Sequence, residues 1–136
     1  MVQFRMNRIS VEQFAIIADS IPQMPITVDT DVSFGIVSNK HIVAVKFNLS
    51  FSNNSDKLLI MELHCHFEIH PESWAGFEKD KKVIIPKDLL AHFAMHTVGT
   101  ARGVLFCKTE GTIFNQFIIP PINVAEKISE DIVIDL

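Results

Sequence analysis

The sequence predicts an α+β fold in which an antiparallel sheet is covered on one face by a long helix. Residues 41–51 alternate, with Val43, Val45, Phe47, Leu49 and Phe51 set against Lys46, Asn48 and Ser50. That period of two marks a strand with one buried face. Residues 57–70 repeat the pattern through Leu59, Met61, Leu63, Cys65, Phe67 and Ile69. The polar turn at 52–56 is too short for a crossover, so the two strands are antiparallel neighbours. Residues 87–108 then change to helical spacing, and Leu89, Leu90, Phe93, Ala94, Thr97, Val98, Ala101, Val104 and Leu105 form one stripe fit to cover the sheet.

The remaining elements follow from local signals. Residues 3–20 taken alone suit a short helix: Ser10 with Gln13 fits a capping box, and Val11, Phe14, Ala15 and Ala18 share a helical face. Pro22 and Pro25 bracket a linker. A strand is expected at 26–37, with Val32, Phe34 and Ile36 on one face, and residues 38–40 form a tight turn to the next strand. Residues 71–82, with Trp74, Gly76 and a charged run, read as a loop. Pro86 suits the first position of the long helix, Asp88 complements its dipole, and Gly111 is expected to end it. Pro120-Pro121 breaks the chain, Asn123 is placed to cap a short helix at 124–129, and the tail 130–136 is frayed or an added strand. One domain spanning 1–136 is expected.

Hydrophobic residues make up 48% of the 136, with eleven Phe and no Tyr, and the mean hydropathy is +0.26. Tyr is the aromatic that tolerates a wet surface, so apolar area shared between subunits or offered to a ligand is expected. The net charge is −4 without a basic run, which argues against nucleic-acid binding. No apolar stretch reaches the ~20 residues of a membrane span, and the first residues lack the apolar core of a signal peptide. Two cysteines make no disulfide framework, so a reducing cytoplasm is the expected location.

One constellation suggests chemistry. Alternation places Glu62, His64, His66, Glu68 and His70 on the polar face of their strand, the spacing of a metal bridging two imidazoles. No second element offers a further ligand and Lys46 is expected alongside, so the ladder is expected to be structural, with no metal and no cofactor. Cys65 points to the apolar side as a small buried hydrophobe. No phosphate loop or nucleophile elbow occurs. Gly99 and Gly103 lie opposite the apolar stripe, with Met95 and Phe106 on the same side. Glycine within a helix costs roughly 1 kcal/mol relative to Ala, and close approach of a second subunit would account for two of them.

The carboxy-terminal third carries a resemblance. Ala101-Arg102, Gly111-Thr112, Phe114, Ile119 and Pro121-Ile122-Asn123 fall in the order of the signature of the secretion chaperone SecB. In that family an Ala-Arg pair near the end of the long helix precedes Gly-Thr-Phe and then Pro-Val-Asn-Phe. The resemblance implies a four-stranded antiparallel sheet with a long helix packed on one face and a short C-terminal helix. It makes the first segment a strand ahead of a crossover loop, against the helical pattern, and the strand is the reading taken. It implies an ATP-independent holdase, not an enzyme, that binds unfolded or precursor polypeptides in an apolar groove and assembles as a homo-oligomer, dimer or tetramer. Ile21, Met24, Phe34 and Ile36 are the expected groove residues. The protein-translocation motor or a dedicated client such as an antitoxin is the expected partner, with no nucleic acid and no membrane insertion. Two rivals are a partner-binding module that kept the fold without chaperoning, and a small metal-dependent enzyme using His64 and His66.

Overall fold

The computed structural model describes residues 1–23 and 25–136. Four strands, β1 (Phe4–Ile16), β2 (Thr27–Val37), β3 (Ile42–Asn53) and β4 (Asp56–Ile69), form an antiparallel sheet in the order β1-β4-β3-β2. Consecutive strands β1 and β2 therefore occupy opposite edges, and the proline-bracketed linker is the crossover between them. The β3–β4 turn is tighter than its sequence suggested, with Asn54 taking a positive φ of 55°, a conformation that Asn tolerates.

The first segment is a strand and not the helix that its pattern favoured. Its pairing with β4 shifts register between Met6 and Arg8 and again between Val11 and Gln13. Asn7 and Glu12 are the extra residues of two β-bulges. The apolar row of β1 consequently runs Phe4, Met6, Ile9, Val11, Phe14, Ile16, opposite Ile69, Phe67, Cys65, Leu63, Met61 and Leu59, with Ile9 and Val11 left exposed in its middle. The steps of three at the bulges imitate helical spacing. Ser10 and Gln13 cap nothing; they lie opposite His64 and Glu62.

The span 71–85, expected as a loop through residue 82, is ordered. Helix α1 (Pro71–Ala75) buries Trp74, and β5 (Glu78–Lys79) and β6 (Lys82–Ile85) follow. The tail forms β7 (Ile132–Asp135), which completes a second sheet ordered β5-β6-β7.

Helix α2 (Lys87–Lys108) has the expected span and lies over β3 and β4. It buries Leu90, Phe93, Ala94, Thr97, Val98, Ala101 and Leu105 against Val43, Phe47, Leu63, Cys65 and Phe67. The Phe67 and Phe93 rings stack at 4.3 Å, and Phe4 packs edge-on to Phe93 at 4.8 Å. Both ends of α2 differ in detail from expectation. Pro86 occupies the cap position, and the Lys87 amide donates to Asp131 Oδ1 at 2.8 Å, so the tail caps the helix. At the other end Thr109 closes the helix, its Oγ1 donating to the Leu105 carbonyl at 2.7 Å. Gly111 follows at φ 79° in the turn beyond. The last helix, α3 (Val124–Lys127), is shorter than expected, and Asn123 stands at its cap position without a side-chain bond.

Candidate functional site

Helix α2 is narrower than the sheet, so the edge strands are less completely covered than the centre. On β2 the inward residues Val28, Thr30, Val32, Phe34 and Ile36 are half-buried, while Asp29 and Asp31 face outward into solvent. Phe34 lies opposite Val45, and Ile36 opposite Val43. Helix α3 sits against this strand: Lys127 Nζ donates to Thr30 Oγ1 at 2.8 Å and to its carbonyl at 3.3 Å. Helix α3 thus meets β2 at Thr30, partway along this half-buried row.

The expected groove residues are divided between that row and the crossover. Phe34 and Ile36 are same-face neighbours, and both pack on the core. Ile21, also half-buried, lies on the crossover between Ala18, whose amide donates to the Leu58 carbonyl, and Thr27, which faces Ser52. Both of those anchors are at the β3–β4 hairpin end. Phe34 is seven residues further along β2, roughly 23 Å away at about 3.3 Å per residue. Met24 lies outside the described residues.

A second apolar surface lies on the outer face of α2. Met95 and Phe106 are 54% and 55% exposed there, and Ile9 and Val11 of β1 are exposed as well. An open cleft of about 540 Å³ is lined by Val11, Gly99, Thr100, Gly103, Val104 and Cys107 with Lys108. A Cβ placed on Gly99 or Gly103 would meet nothing within 4 Å. Packing within the single chain therefore does not require either glycine.

The polar face of β4 is a network of pairs. His64 contacts Glu62 through Nε2 at 2.9 Å and Glu12 through Nδ1 at 3.2 Å. Lys46 lies opposite His64, Arg8 lies opposite His66, and Arg5 pairs with Glu68 at 2.7 Å. Burial, then the charges of Arg8 and His64, hold His66 below the usual histidine range, with Glu12 pulling the other way. His70 has left the ladder; it is the cap residue of α1, its Nδ1 accepting from the Glu72 amide at 3.3 Å. Among the described residues no group of three His, Cys, Asp or Glu is arranged to hold a metal ion. Burial pushes the Cys65 thiol up, with the neighbouring Thr97 and Thr100 side chains pulling the other way, which suits an inert packed side chain.

The signature residues shape the segment after α2. Ala101 is fully buried. Arg102 binds the carbonyls of Ile119 and Pro120. Thr112 Oγ1 donates to the Thr109 carbonyl at 2.8 Å and accepts from the Phe114 amide at 3.1 Å, which turns buried Phe114 into the core. Asn115, overlooked in the sequence, donates to the Phe106 carbonyl at 3.0 Å and to Thr109 Oγ1 at 3.1 Å. Pro121 is exposed.

This architecture is that of a SecB-like fold. The SecB-like chaperone Rv1957 of Mycobacterium tuberculosis, solved in complex with a ChAD peptide from the Rv1956 HigA1 antitoxin, matches with a TM-score of 0.51 at 12% identity, over 88% of this chain and 90% of that one. A protein of unknown function from Streptococcus agalactiae matches with a TM-score of 0.40 at 12% identity, over 90% of this chain and 98% of that one. No family model and no curated protein matches the chain. No helix among the described residues is long and apolar enough to cross a membrane.

Proposed function

We propose that this chain is an ATP-independent holdase that binds extended, non-native polypeptide along β2. The observation that carries the reading is the half-covered strip Val28, Val32, Phe34 and Ile36, bordered by α3 and set on a SecB-like fold. An edge strand offers unpaired backbone groups to an extended chain, and apolar pockets beside it accept alternate side chains. Burial of apolar side chains is non-directional, so many client sequences are tolerated. No nucleotide, metal or catalytic group has a role in this reading. The neighbour's antitoxin peptide favours a dedicated client of that kind over a general stream of export precursors, and over docking to the translocation motor.

Assembly belongs to the same proposal. The outer face of α2, with Met95, Gly99, Gly103 and Phe106, pairs with a second copy of the chain as a dimer or a dimer-based tetramer. The open space over both glycines supports it, since a neighbouring helix backbone approaches closely only where side chains are absent. The protein acts in a reducing compartment, where exposed Cys107 stays a thiol.

The test is binding of a labelled, permanently unfolded apolar polypeptide, followed by fluorescence anisotropy. The double variant Phe34→Ser, Ile36→Ser is expected to lose most of the affinity while keeping its far-UV circular dichroism. Equal binding by the folded variant would move the groove elsewhere.

A further inference from the structure

Two histidines outside the ladder sit together on α2. His92 and His96 are four residues apart, on one exposed face of the helix, and their Nε2 atoms are 3.2 Å apart. Two imidazoles on one zinc, each at about 2.0–2.1 Å in tetrahedral geometry, place their nitrogens about 3.4 Å apart. In the metal-free pair this contact is a hydrogen bond from one ring to the other. A metal ion would replace that proton after a turn of the rings, with the nitrogen separation already near the chelate value and no movement of the backbone. Aromatic neighbours on one side limit the freedom of the rings. Phe4 packs edge-on to His92 at 5.7 Å and to His96 at 6.4 Å, and Phe67 lies 6.4 Å from His96. Holding both rings lowers the ordering cost that an exposed chelate otherwise bears.

We propose that His92 and His96 form a two-nitrogen site for a late divalent transition-metal ion. The spacing is that of two zinc-binding histidines one helical turn apart in hydrolytic enzymes, but Phe93 stands where those enzymes carry the glutamate base. Phe93 is fully buried, so the site binds and does not hydrolyse. With only two protein ligands the remaining positions belong to water, and affinity follows the order of the ions themselves: copper(II) above nickel(II), with zinc(II) below copper(II). The pair lies on the amino-terminal side of Gly99, and its chemistry is independent of client binding.

The test is titration of untagged protein in its native assembly with copper(II), nickel(II) and zinc(II) by calorimetry, with electron paramagnetic resonance of the copper form. One copper(II) per chain with a two-nitrogen equatorial signature is expected. His92→Ala or His96→Ala should weaken binding roughly 10–100-fold or more, the range seen even for outer-shell losses, while His64→Ala leaves it unchanged. Both histidines are exposed, so circular dichroism should show folded variants. Unchanged binding in His92→Ala, His96→Ala, loss in His64→Ala instead, or no binding by wild type at millimolar metal would each overturn the site.

Discussion

Arg102 on α2 donates from Nε to the carbonyl of Ile119 at 3.0 Å, joining residues seventeen positions apart. A second bond runs from Nη2 to the Pro120 carbonyl at 2.9 Å. These bonds fasten the apolar run after the helix and keep Ile119 only 1% exposed. The arginine and the residues around Pro121 therefore belong to one structural device, although the sequence separates them. Hydrogen bonds to charged groups contribute about 1.5–3 kcal/mol, at the lower end where the donor is partly exposed. Arg102→Met should lower the stability of the folded subunit by about 1–2 kcal/mol in urea unfolding. Lysine lacks the planar fork, so Arg102→Lys should recover only part. An unchanged midpoint in both would show that the clamp is incidental.

Asp131 caps the main helix from the far end of the chain. Replacing a capping side chain by Ala costs about 0.5–2 kcal/mol. Asp131→Ala should fall in that range and speed hydrogen exchange in both the first turn of α2 and β7. Asp131→Asn keeps an acceptor and should lose less. Faster exchange in only one of the two elements would break the proposed link between them.

The sheet centre and the long helix were legible in the sequence because each has a single period over many residues. The alternation of Val43 to Phe51 and of Leu59 to Ile69 reports one fully covered face. Strand β1 was not legible, because the bulges at Asn7 and Glu12 give a mixed period close to that of a helix; the resemblance identified it where periodicity did not. The second sheet was missed because β5 and β6 are too short to show a period, and β6 pairs with β7 nearly fifty residues away. For the same reason the tail's sequence is compatible with both a frayed end and a strand. The polar face of β4 is legible from Glu62 through Glu68, but alternation also puts His70 on it, although Pro71 ends the strand and starts a helix. Nothing in the alternation marks His92 and His96 as a pair, although their spacing of four was visible on the helix.

His66 gives the fold a pH dependence with a definite sign. Its native pKa lies below the ordinary value of 6.5, so the unfolded chain takes up the proton first on acidification. Stability from this group is present above about pH 6.5 and is lost as pH falls toward the native pKa. His66→Asn should flatten that part of the stability–pH profile below pH 6.5. The same slope in wild type and variant would assign the effect to other groups.

Gly103→Leu tests the subunit face. Because a Cβ at Gly103 has open space within the chain, the side chain should fit the isolated subunit and obstruct a neighbouring helix. Sedimentation velocity should show a shift toward monomer, with a thermal midpoint that falls less than assembly does. A wild-type monomer at micromolar concentration would remove the interface.

The central claim is tested most directly by light scattering from a reduced, unfolded client during aggregation. Wild-type protein at a few-fold molar excess, without nucleotide, should suppress the scattering, and the folded Phe34→Ser, Ile36→Ser variant should suppress it far less. Client aggregation that proceeds unchanged in the presence of the wild-type protein would contradict the account and favour a partner-binding module that has the fold without the chaperone activity.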